Sequence, residues 1–195
     1  MKKIILILLL FPVFSGYSQN ADINLLRYIN HNRNQQLDGV FICITNSASP
    51  VAIGTPVILY GIGLLKKDAG IKQKALYIGA SVVTSIIIAN ILKYSINRKR
   101  PFETYPDIEK LTGGGSPSFP SGHTSEAFAL ATSLTLAYPK YYVIVPAFAW
   151  AAAVGYSRMD LGVHYPSDVL MGAVIGAGSA YLCYKGQKWL NKKRH

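Results

Sequence analysis

The chain has 195 residues, of which 50% are hydrophobic and 15% are charged, and its formal net charge at pH 7 is +11. This length suits one domain, and the charged fraction is well below the roughly 25% of an average soluble domain. The basic excess suits an anionic membrane surface or an anionic substrate better than nucleic acid, because lysines and arginines stand in short clusters between apolar runs and form no continuous basic stripe.

The N-terminus has the pattern of a secretory leader. Lys2 and Lys3 precede an apolar run over residues 4–14, and small residues follow at 16–18. Residues 1–18 are therefore predicted to be a cleaved signal peptide or, if retained, a first membrane anchor. Both outcomes place residue 20 outside the cytoplasm, and residues 20–195 are predicted to form a single domain.

Residues 21–38 carry a weak helical stripe of apolar side chains. This stripe predicts an amphipathic helix at the outer membrane–water interface. His31 in this segment is interpreted as a solvated surface residue. The stripe consists of Leu25, Leu26, Ile29 and Leu37.

Five further apolar stretches predict an all-α, multi-helix transmembrane bundle, with about five spans after a signal peptide or six with it retained. Lysines crowd the connection at 66–74 and the tail at 185–194. Positively charged short loops stay in the cytoplasm, so these segments are predicted inside, and the loop after Lys93 and the segment 157–168 outside. The spans are expected at 40–65, 75–92, 125–138, 141–156 and 169–184.

The two cysteines, Cys43 and Cys183, both lie in apolar segments. They are predicted to be buried thiols that form neither a disulfide nor a metal framework. No cluster in the sequence has the composition of a dedicated metal site, and no cofactor is expected.

A first group of cations follows the second apolar run. Lys93 precedes Arg100 and Pro101 by seven and eight residues, and Arg98 and Lys99 stand beside them. On a helix, a spacing of seven puts Lys93 and Arg100 on nearly the same face. Because Pro101 disfavours helix at Arg100, the helix is predicted to end there, so that both side chains turn toward one anion. Interfacial anchoring of a helix end is the alternative.

A second segment leads directly into a predicted helix. Gly122 lets a phosphate approach the backbone, and the N–H groups of a helix start point at it. Ser121 adds a hydroxyl donor, and His123 is placed to give a proton to a leaving oxygen. The alternative is a helix N-cap with an incidental histidine.

A third segment combines an arginine, a histidine and an aspartate between two apolar runs. Arg158 supplies a cationic fork suited to phosphate oxygens. His164 can be a neutral nucleophile near pH 7. Asp168 follows Pro166, which favours the first position of a helix, so its carboxylate is predicted in a helical first turn, from which it can orient the imidazole.

Together the three segments resemble the signature of the type 2 phosphatidic acid phosphatase superfamily. All three are complete, in order and matching in spacing, and the resemblance covers about residues 93–172 of the single domain. The matching residues are Lys93-x6-Arg100-Pro101, Pro120-Ser121-Gly122-His123 and Ser157-Arg158-x5-His164-x3-Asp168.

The resemblance implies a metal-free phosphatase built on a helical bundle, with its active site at the outer ends of the helices. His164 would attack phosphorus and become a phosphohistidine, Asp168 would orient it, and His123 would protonate the leaving group. Positive charge around the phosphoryl oxygens is what phosphoryl transfer mostly needs. The phosphate-binding residues would be Lys93, Arg100, Ser121, Gly122 and Arg158.

The same signature leaves several functions open. The favoured one is a membrane lipid phosphatase of the bacterial inner membrane with its active site facing the periplasm, acting on undecaprenyl diphosphate, phosphatidylglycerophosphate, phosphatidic acid or a lipid A phosphate. A soluble periplasmic acid phosphatase of broad specificity is the alternative. A non-enzymatic membrane protein that binds anionic lipid would require the three motifs to be coincidental. Partners are therefore the lipid substrate and membrane lipids, with the oligomeric state open.

Overall fold

A computed structural model describes residues 15–193, with side chains over 20–190, and all regular elements in this range are helices. The predicted leader at 1–18 lies mostly outside the described residues. Eight α-helices follow one another, with a 3-10 turn at Gln35–Leu37 between the first two. They are α1 Ser15–His31, α2 Asp38–Asn46, α3 Ala48–Leu65, α4 Ala69–Ile96, α5 Pro101–Thr104, α6 Gly122–Ala137, α7 Tyr141–Asp160 and α8 Pro166–Lys193.

The ends of the helices follow from local chemistry. The Asp68 carboxylate accepts hydrogen bonds from the first free N–H groups of α4, those of Gly70 and Ile71. Pro166 is the first residue of α8, as the sequence predicts. The other end of α4 differs from the prediction. The helix ends at Ile96, because Asn97 takes a left-handed conformation with φ of 50°, and Arg100 lies outside it.

The core of the bundle is built from small side chains, which let helices approach closely. α6 packs most extensively against α8, and fully buried alanines of α6 and α7 fill the centre. The last predicted span contains glycines at 172, 176 and 178, and small residues at these positions predict close helix contacts. A Cβ at Gly172 would lie 2.6 Å from Ser121 O and one at Gly176 2.3 Å from Ser125 O, whereas Gly178 has nothing within 4 Å. The prediction is thus confirmed for Gly172 and Gly176 and wrong for Gly178.

The outer faces of several helices expose large apolar side chains. Two stretches of the described chain, Gln35–Leu65 and Ala69–Thr104, are long and apolar enough to cross a membrane. The predicted spans in α6, α7 and α8 do not reach the same combination of length and hydropathy, so the number of spans stays a prediction. Apolar side chains that are more than half exposed include Ile53, Val57 and Ile58 of α3, Leu76, Val83 and Ile91 of α4, and Leu170, Val174 and Leu182 of α8.

The lysine-rich segments lie together at one end of the bundle. Lys74 Nζ, at the start of α4, stands 4.2 Å from the ring centroid of Tyr138 at the end of α6. Gln187, near the end of α8, donates a hydrogen bond to Gln73 O over 3.3 Å. The loop after Lys93 and the segment 157–168 meet at the other end. This sorting into two ends is what the lysine clusters predict.

The helix predicted over 21–38 spans Ser15–His31, and the predicted apolar stripe is divided: Leu26 is fully buried, whereas Leu25 is 49% exposed. The buried face of α1 carries Asp22, Ile23, Leu26 and Asn30. A position of α1 at the membrane surface stays a prediction. Ile23 and Leu26 pack with Ile108 and Tyr165, so α1 contacts the segments that build the site. His31 is exposed, as expected, and its Nε2 lies 2.8 Å from Asp107 O.

The environment of the cysteines differs from the prediction in one case. Both thiols are free, but Cys43 is exposed and Cys183 is only partly buried. Cys43 lies in α2, within the apolar stretch Gln35–Leu65, so its exposed surface belongs to an apolar helix face. Apolar sequence alone does not separate a face that packs on the bundle from one that faces outward.

Candidate active site

One end of the bundle encloses a cavity of about 250 Å³ that gathers six of the eight predicted site residues. Its wall is formed by the C-terminal part of α4, the glycine-rich loop that contains Gly113, Gly114 and Gly115, the start of α6 and the α7–α8 connection. The predicted residues in this wall are Lys93, Arg100, Gly122, His123, Arg158 and His164, and the remaining lining residues are Ile86, Ala89, Asn90, Gly113, Gly114, Gly115, Ser116 and Glu126.

His164 lies in the short connection between α7 and α8 and is 1% exposed. Its Nδ1 faces Asp168 Oδ2 over 3.3 Å, and its Nε2 lies 3.4 Å from Nη1 of Arg100. A guanidinium only donates, so Nε2 accepts and the ring proton resides on Nδ1. Burial lowers the pKa of His164 to about 3, although the hydrogen bond to the Asp168 carboxylate opposes the shift. The imidazole is thus neutral at pH 7, with the Nε2 lone pair on the cavity side.

Asp168 is fully buried in the first turn of α8, as predicted. Besides facing His164, its Oδ2 accepts hydrogen bonds from the Ser118 hydroxyl at 2.5 Å and the Tyr165 N–H at 3.0 Å. Its Oδ1 accepts one from Arg98 at 2.7 Å. These donors hold the carboxylate in one orientation and keep it charged, which fixes the His164 tautomer.

Three buried cations surround the cavity. Lys93 donates to Pro117 O over 2.6 Å, and Arg100 donates to Ser116 O and Val163 O, each over 2.8 Å. Arg158 donates to Thr45 Oγ1 over 2.7 Å, and its Nε is buried with no hydrogen-bond partner. In the part of the chain with described side chains, none of the three forms an ion pair. The cavity therefore keeps uncompensated positive charge, which suits an anion.

The glycine-rich loop lies against one of these cations. A Cβ at Gly114 would stand 2.8 Å from Nη1 of Arg100, whereas Gly113 and Gly115 have nothing within 4 Å. Gly113 also accepts a hydrogen bond from Arg158 through its carbonyl oxygen, over 3.2 Å. The backbone of this loop thus contacts two guanidinium groups. Of its three glycines, Gly114 is the one at which a side chain would collide with Arg100.

The second predicted segment divides between the cavity and the protein interior. Gly122 begins α6 and lines the cavity together with His123. Ser121 does not line it. This residue is fully buried and its hydroxyl lies 2.8 Å from Thr124 Oγ1, while its N–H donates to Asp168 O over 3.0 Å. Its hydroxyl is thus bonded within the first turn of α6, and its backbone N–H joins α6 to α8.

Several residues of the site stand at no signature position of the three sequence segments. Ser118 and Arg98 contact Asp168, Thr45 holds Arg158, and Glu126 lines the cavity while accepting a hydrogen bond from Ser49 over 2.6 Å. The one sequence signal for Arg98 is its position two residues before the Arg100-Pro101 pair.

Comparison with known proteins agrees with this geometry. A family model described as PAP2 superfamily matches residues 74–192, more than half of the chain. A lipid A 1-phosphatase of Rhizobium johnstonii is 39% identical over 125 residues, which are 58% of this chain and 50% of that protein. An undecaprenyl-diphosphatase of Sulfolobus acidocaldarius is 30% identical over 189 residues, 91% of this chain and 87% of that protein.

A solved structure of a PAP2-type phosphatase is similar to this chain in its fold. The transmembrane PAP2-type phosphatidylglycerolphosphate phosphatase of Bacillus subtilis superposes with a TM-score of 0.75 at 28% identity, covering 95% of this chain and 93% of that one. The chain spans about half the length of the Rhizobium relative. The matched region contains all three sequence segments and the cavity that they line. The chain therefore belongs to the PAP2 superfamily, as its signature predicts.

Proposed function

We propose that this protein is a membrane phosphatase that hydrolyses the phosphate ester or diphosphate of a lipid through a phosphohistidine intermediate on His164. The main support is the content of the cavity: a neutral imidazole with Nε2 on the cavity side, held by a buried carboxylate, and three buried cations without an anionic partner. An anion that fills the cavity would meet both its nucleophile and its counter-charges there.

In the first step, Nε2 of His164 forms a bond to phosphorus, and the bond from phosphorus to the leaving oxygen breaks. The electron pair of that bond goes to the leaving oxygen, which takes a proton from His123. Burial and the cations Arg158, Arg100 and Lys93 lower the pKa of His123 to about 4 in the free site, so the imidazole takes up this proton when the phosphate anion enters and offsets their charge. The Asp168 carboxylate stabilises the positive charge that develops on the imidazole. Lys93, Arg100 and Arg158 stabilise charge on the equatorial oxygens.

In the second step, a water molecule replaces the leaving group on the His123 side. His123 takes a proton from the water as its oxygen bonds to phosphorus and the P–N bond to His164 breaks. The products are inorganic phosphate and neutral imidazole, so the enzyme returns to its initial state. His123 thus acts as acid in one step and as base in the next.

A lipid substrate is supported by the surroundings of the cavity. The apolar faces of α3, α4 and α8 are exposed, which suits contact with hydrocarbon and disfavours the soluble acid phosphatase alternative. The site lies at one end of the bundle, so a lipid could present its headgroup there while its chains stay in the bilayer. The names lipid A 1-phosphatase and undecaprenyl-diphosphatase show which lipids two relatives act on.

Phosphate release by the purified protein in detergent micelles tests the proposal. Undecaprenyl diphosphate, phosphatidylglycerophosphate, phosphatidic acid and a lipid A phosphate would be compared with a soluble aryl phosphate. We expect kcat/KM on at least one lipid to exceed that on the aryl ester by on the order of 100-fold, because remote contacts with the lipid contribute binding energy. A protein that stays in solution without detergent and shows no lipid preference would instead be the soluble phosphatase.

We further propose that the cavity faces the periplasm of a bacterial inner membrane, based on the separation of the lysine-rich end from the site. Single cysteines at Lys99, near the site, and at Lys66, at the other end, would be placed in a Cys43→Ser, Cys183→Ser background. An impermeant thiol reagent applied to the outer face of the inner membrane should label only Lys99→Cys. Labelling of only Lys66→Cys would reverse the orientation.

Replacement of His123 by alanine is expected to affect substrates according to their leaving group. Loss of the proton donor should lower kcat/KM for an alkyl phosphate by about 100-fold or more, and that for an aryl phosphate much less, since a phenolate leaves without full protonation. Both esters would be assayed with the same preparation. An equal loss on both esters would mean that His123 only helps to bind the phosphate.

A further inference from the structure

A carboxylate from α1 joins the catalytic network although it lies outside the residues 74–192 that the family model matches. Asp22 is 8% exposed. Its Oδ1 accepts the N–H of Ser167 over 2.8 Å, and its Oδ2 accepts the Ser167 hydroxyl over 2.5 Å and Nη2 of Arg98 over 2.8 Å. Asp22 therefore contacts both the start of α8 and the arginine that holds Asp168.

Arg98 connects this carboxylate to the catalytic one. Its Nη1 donates to Asp168 Oδ1 over 2.7 Å while its Nη2 donates to Asp22. The guanidinium lies 3.8 Å from the ring centroid of Tyr165, which holds its plane in place. The three side chains form one hydrogen-bonded unit of two carboxylates and one cation, partly shielded from solvent.

The charge of this unit bears directly on His164. Arg98 alone would neutralise Asp168 and weaken its hold on the Nδ1–H of the imidazole. Asp22 offsets the charge of Arg98, so the unit keeps a net negative charge beside the ring. When His164 attacks phosphorus its ring becomes cationic, and this remaining negative charge lowers the energy of that state.

We propose that Asp22 is a positioning residue that acts through Arg98 to keep Asp168 an effective anionic partner of His164. This inference deepens the proposed phosphatase function and rests on it for its kinetic test. It also gives α1 a defined role in the reaction, because the helix supplies the outer carboxylate of the catalytic network.

Capping of α8 is the competing role for Asp22, because its Oδ1 accepts the N–H of Ser167 in the first turn of that helix. Two substitutions separate this role from the electrostatic one. Asp22→Asn keeps an oxygen that can accept from Ser167 and removes the charge, whereas Asp22→Ser removes the charge and also shortens the side chain so that it no longer reaches Ser167. If capping alone mattered, Asp22→Asn would behave like the wild type.

The kinetic test compares kcat and KM of both variants on a lipid phosphate. We expect each variant to lower kcat by on the order of tenfold, as for an outer partner that acts on the reacting group through other side chains, with KM within about twofold of the wild type. Asp107→Asn is the matched control, because Asp107 pairs with Arg27 of the same helix and is exposed. Wild-type kcat in both Asp22 variants would overturn the proposal.

A double-substitution cycle tests the route through Arg98. Arg98→Gln should lower kcat, and Asp22→Asn should then cause no further loss beyond about twofold, because its effect passes through the missing guanidinium. A loss in the double variant equal to the product of the two single losses would contradict this route.

A spectroscopic measurement keeps the inference testable even if the protein proves not to be a phosphatase. The proton resonance of His164 Nδ1–H moves downfield as its hydrogen bond to Asp168 strengthens. In detergent-solubilised protein labelled with 15N-histidine, Asp22→Asn and Asp22→Ser should move this resonance upfield, and Asp107→Asn should not. An unchanged resonance in the Asp22 variants would overturn the coupling, whereas an absence of turnover in the wild type would overturn the proposed function alone.

Discussion

Replacement of His164 by alanine is expected to lower kcat/KM on every phosphate ester by at least about 10,000-fold, because it removes the proposed nucleophile. The side chain is buried and lines the cavity with Nε2 directed toward Arg100. His123 also lines the cavity, but among the described ion pairs only His164 of these two faces a carboxylate. The measurement is phosphate release under initial-rate conditions, with thermal unfolding in detergent as the check that the variant is folded.

His31→Ala is the matched control for this substitution. His31 is exposed, lies in α1 and contacts the loop only through Asp107. It should keep wild-type turnover. Substantial activity in a folded His164→Ala protein would exclude His164 as the nucleophile, whatever the effect of the control.

Asp168→Asn is expected to lower kcat by about 1,000- to 10,000-fold and to change KM little. The amide keeps nearly the shape of the carboxylate, and its oxygen can still accept from Ser118 and Tyr165. In that orientation it loses the charge that stabilises the cationic ring; in the flipped orientation its N–H instead faces Nδ1, which favours the wrong tautomer of His164. Kinetics on a lipid phosphate, with both parameters resolved, is the measurement.

The control for Asp168→Asn is the same change at Asp38, which pairs with Arg33 away from the cavity. It should leave kcat unchanged. If Asp168→Asn instead raised KM and left kcat intact, the carboxylate would organise phosphate binding and would not support the nucleophile.

The parts of the fold and site that the sequence predicts depend on neighbours along the chain. Apolar runs, lysine clusters and the proline at the start of α8 are local signals. The apolar runs and the proline predict where helices lie, and the lysine clusters predict which connections share one end of the bundle. His164 and Asp168 are four residues apart at a helix start, so their pairing also follows from local geometry.

The contacts that the sequence does not predict join residues far apart in the chain. Asp22 and Arg98 are 76 residues apart, and Arg98 and Asp168 are 70 apart. Nothing in the local pattern of 21–38 shows which side of α1 packs on the bundle, and the buried face proved to be a partly polar one. An apolar stripe does not locate the packed face of a helix when that face combines apolar side chains with a carboxylate and an amide.

Two predictions of local geometry failed for identifiable reasons. Lys93 and Arg100 were expected on one helix face, but Asn97 ends α4 before Arg100. Both side chains still line the cavity, because the loop turns back over the helix end. The Ser121 hydroxyl was expected at the phosphate, but it faces Thr124 in the interior. Spacing alone gives the position of Ser121 before the helix and does not give its rotamer.

The most direct test of the proposed mechanism is the location of the phosphoryl group during turnover. The wild-type protein would be mixed with a 32P-labelled lipid phosphate, quenched within milliseconds, and the labelled peptide sequenced after tests of its stability in acid and alkali. The mechanism predicts an acid-labile, alkali-stable label on His164, formed at least as fast as turnover. A label on serine, or a label on His123 that forms equally fast in His164→Ala, would contradict it.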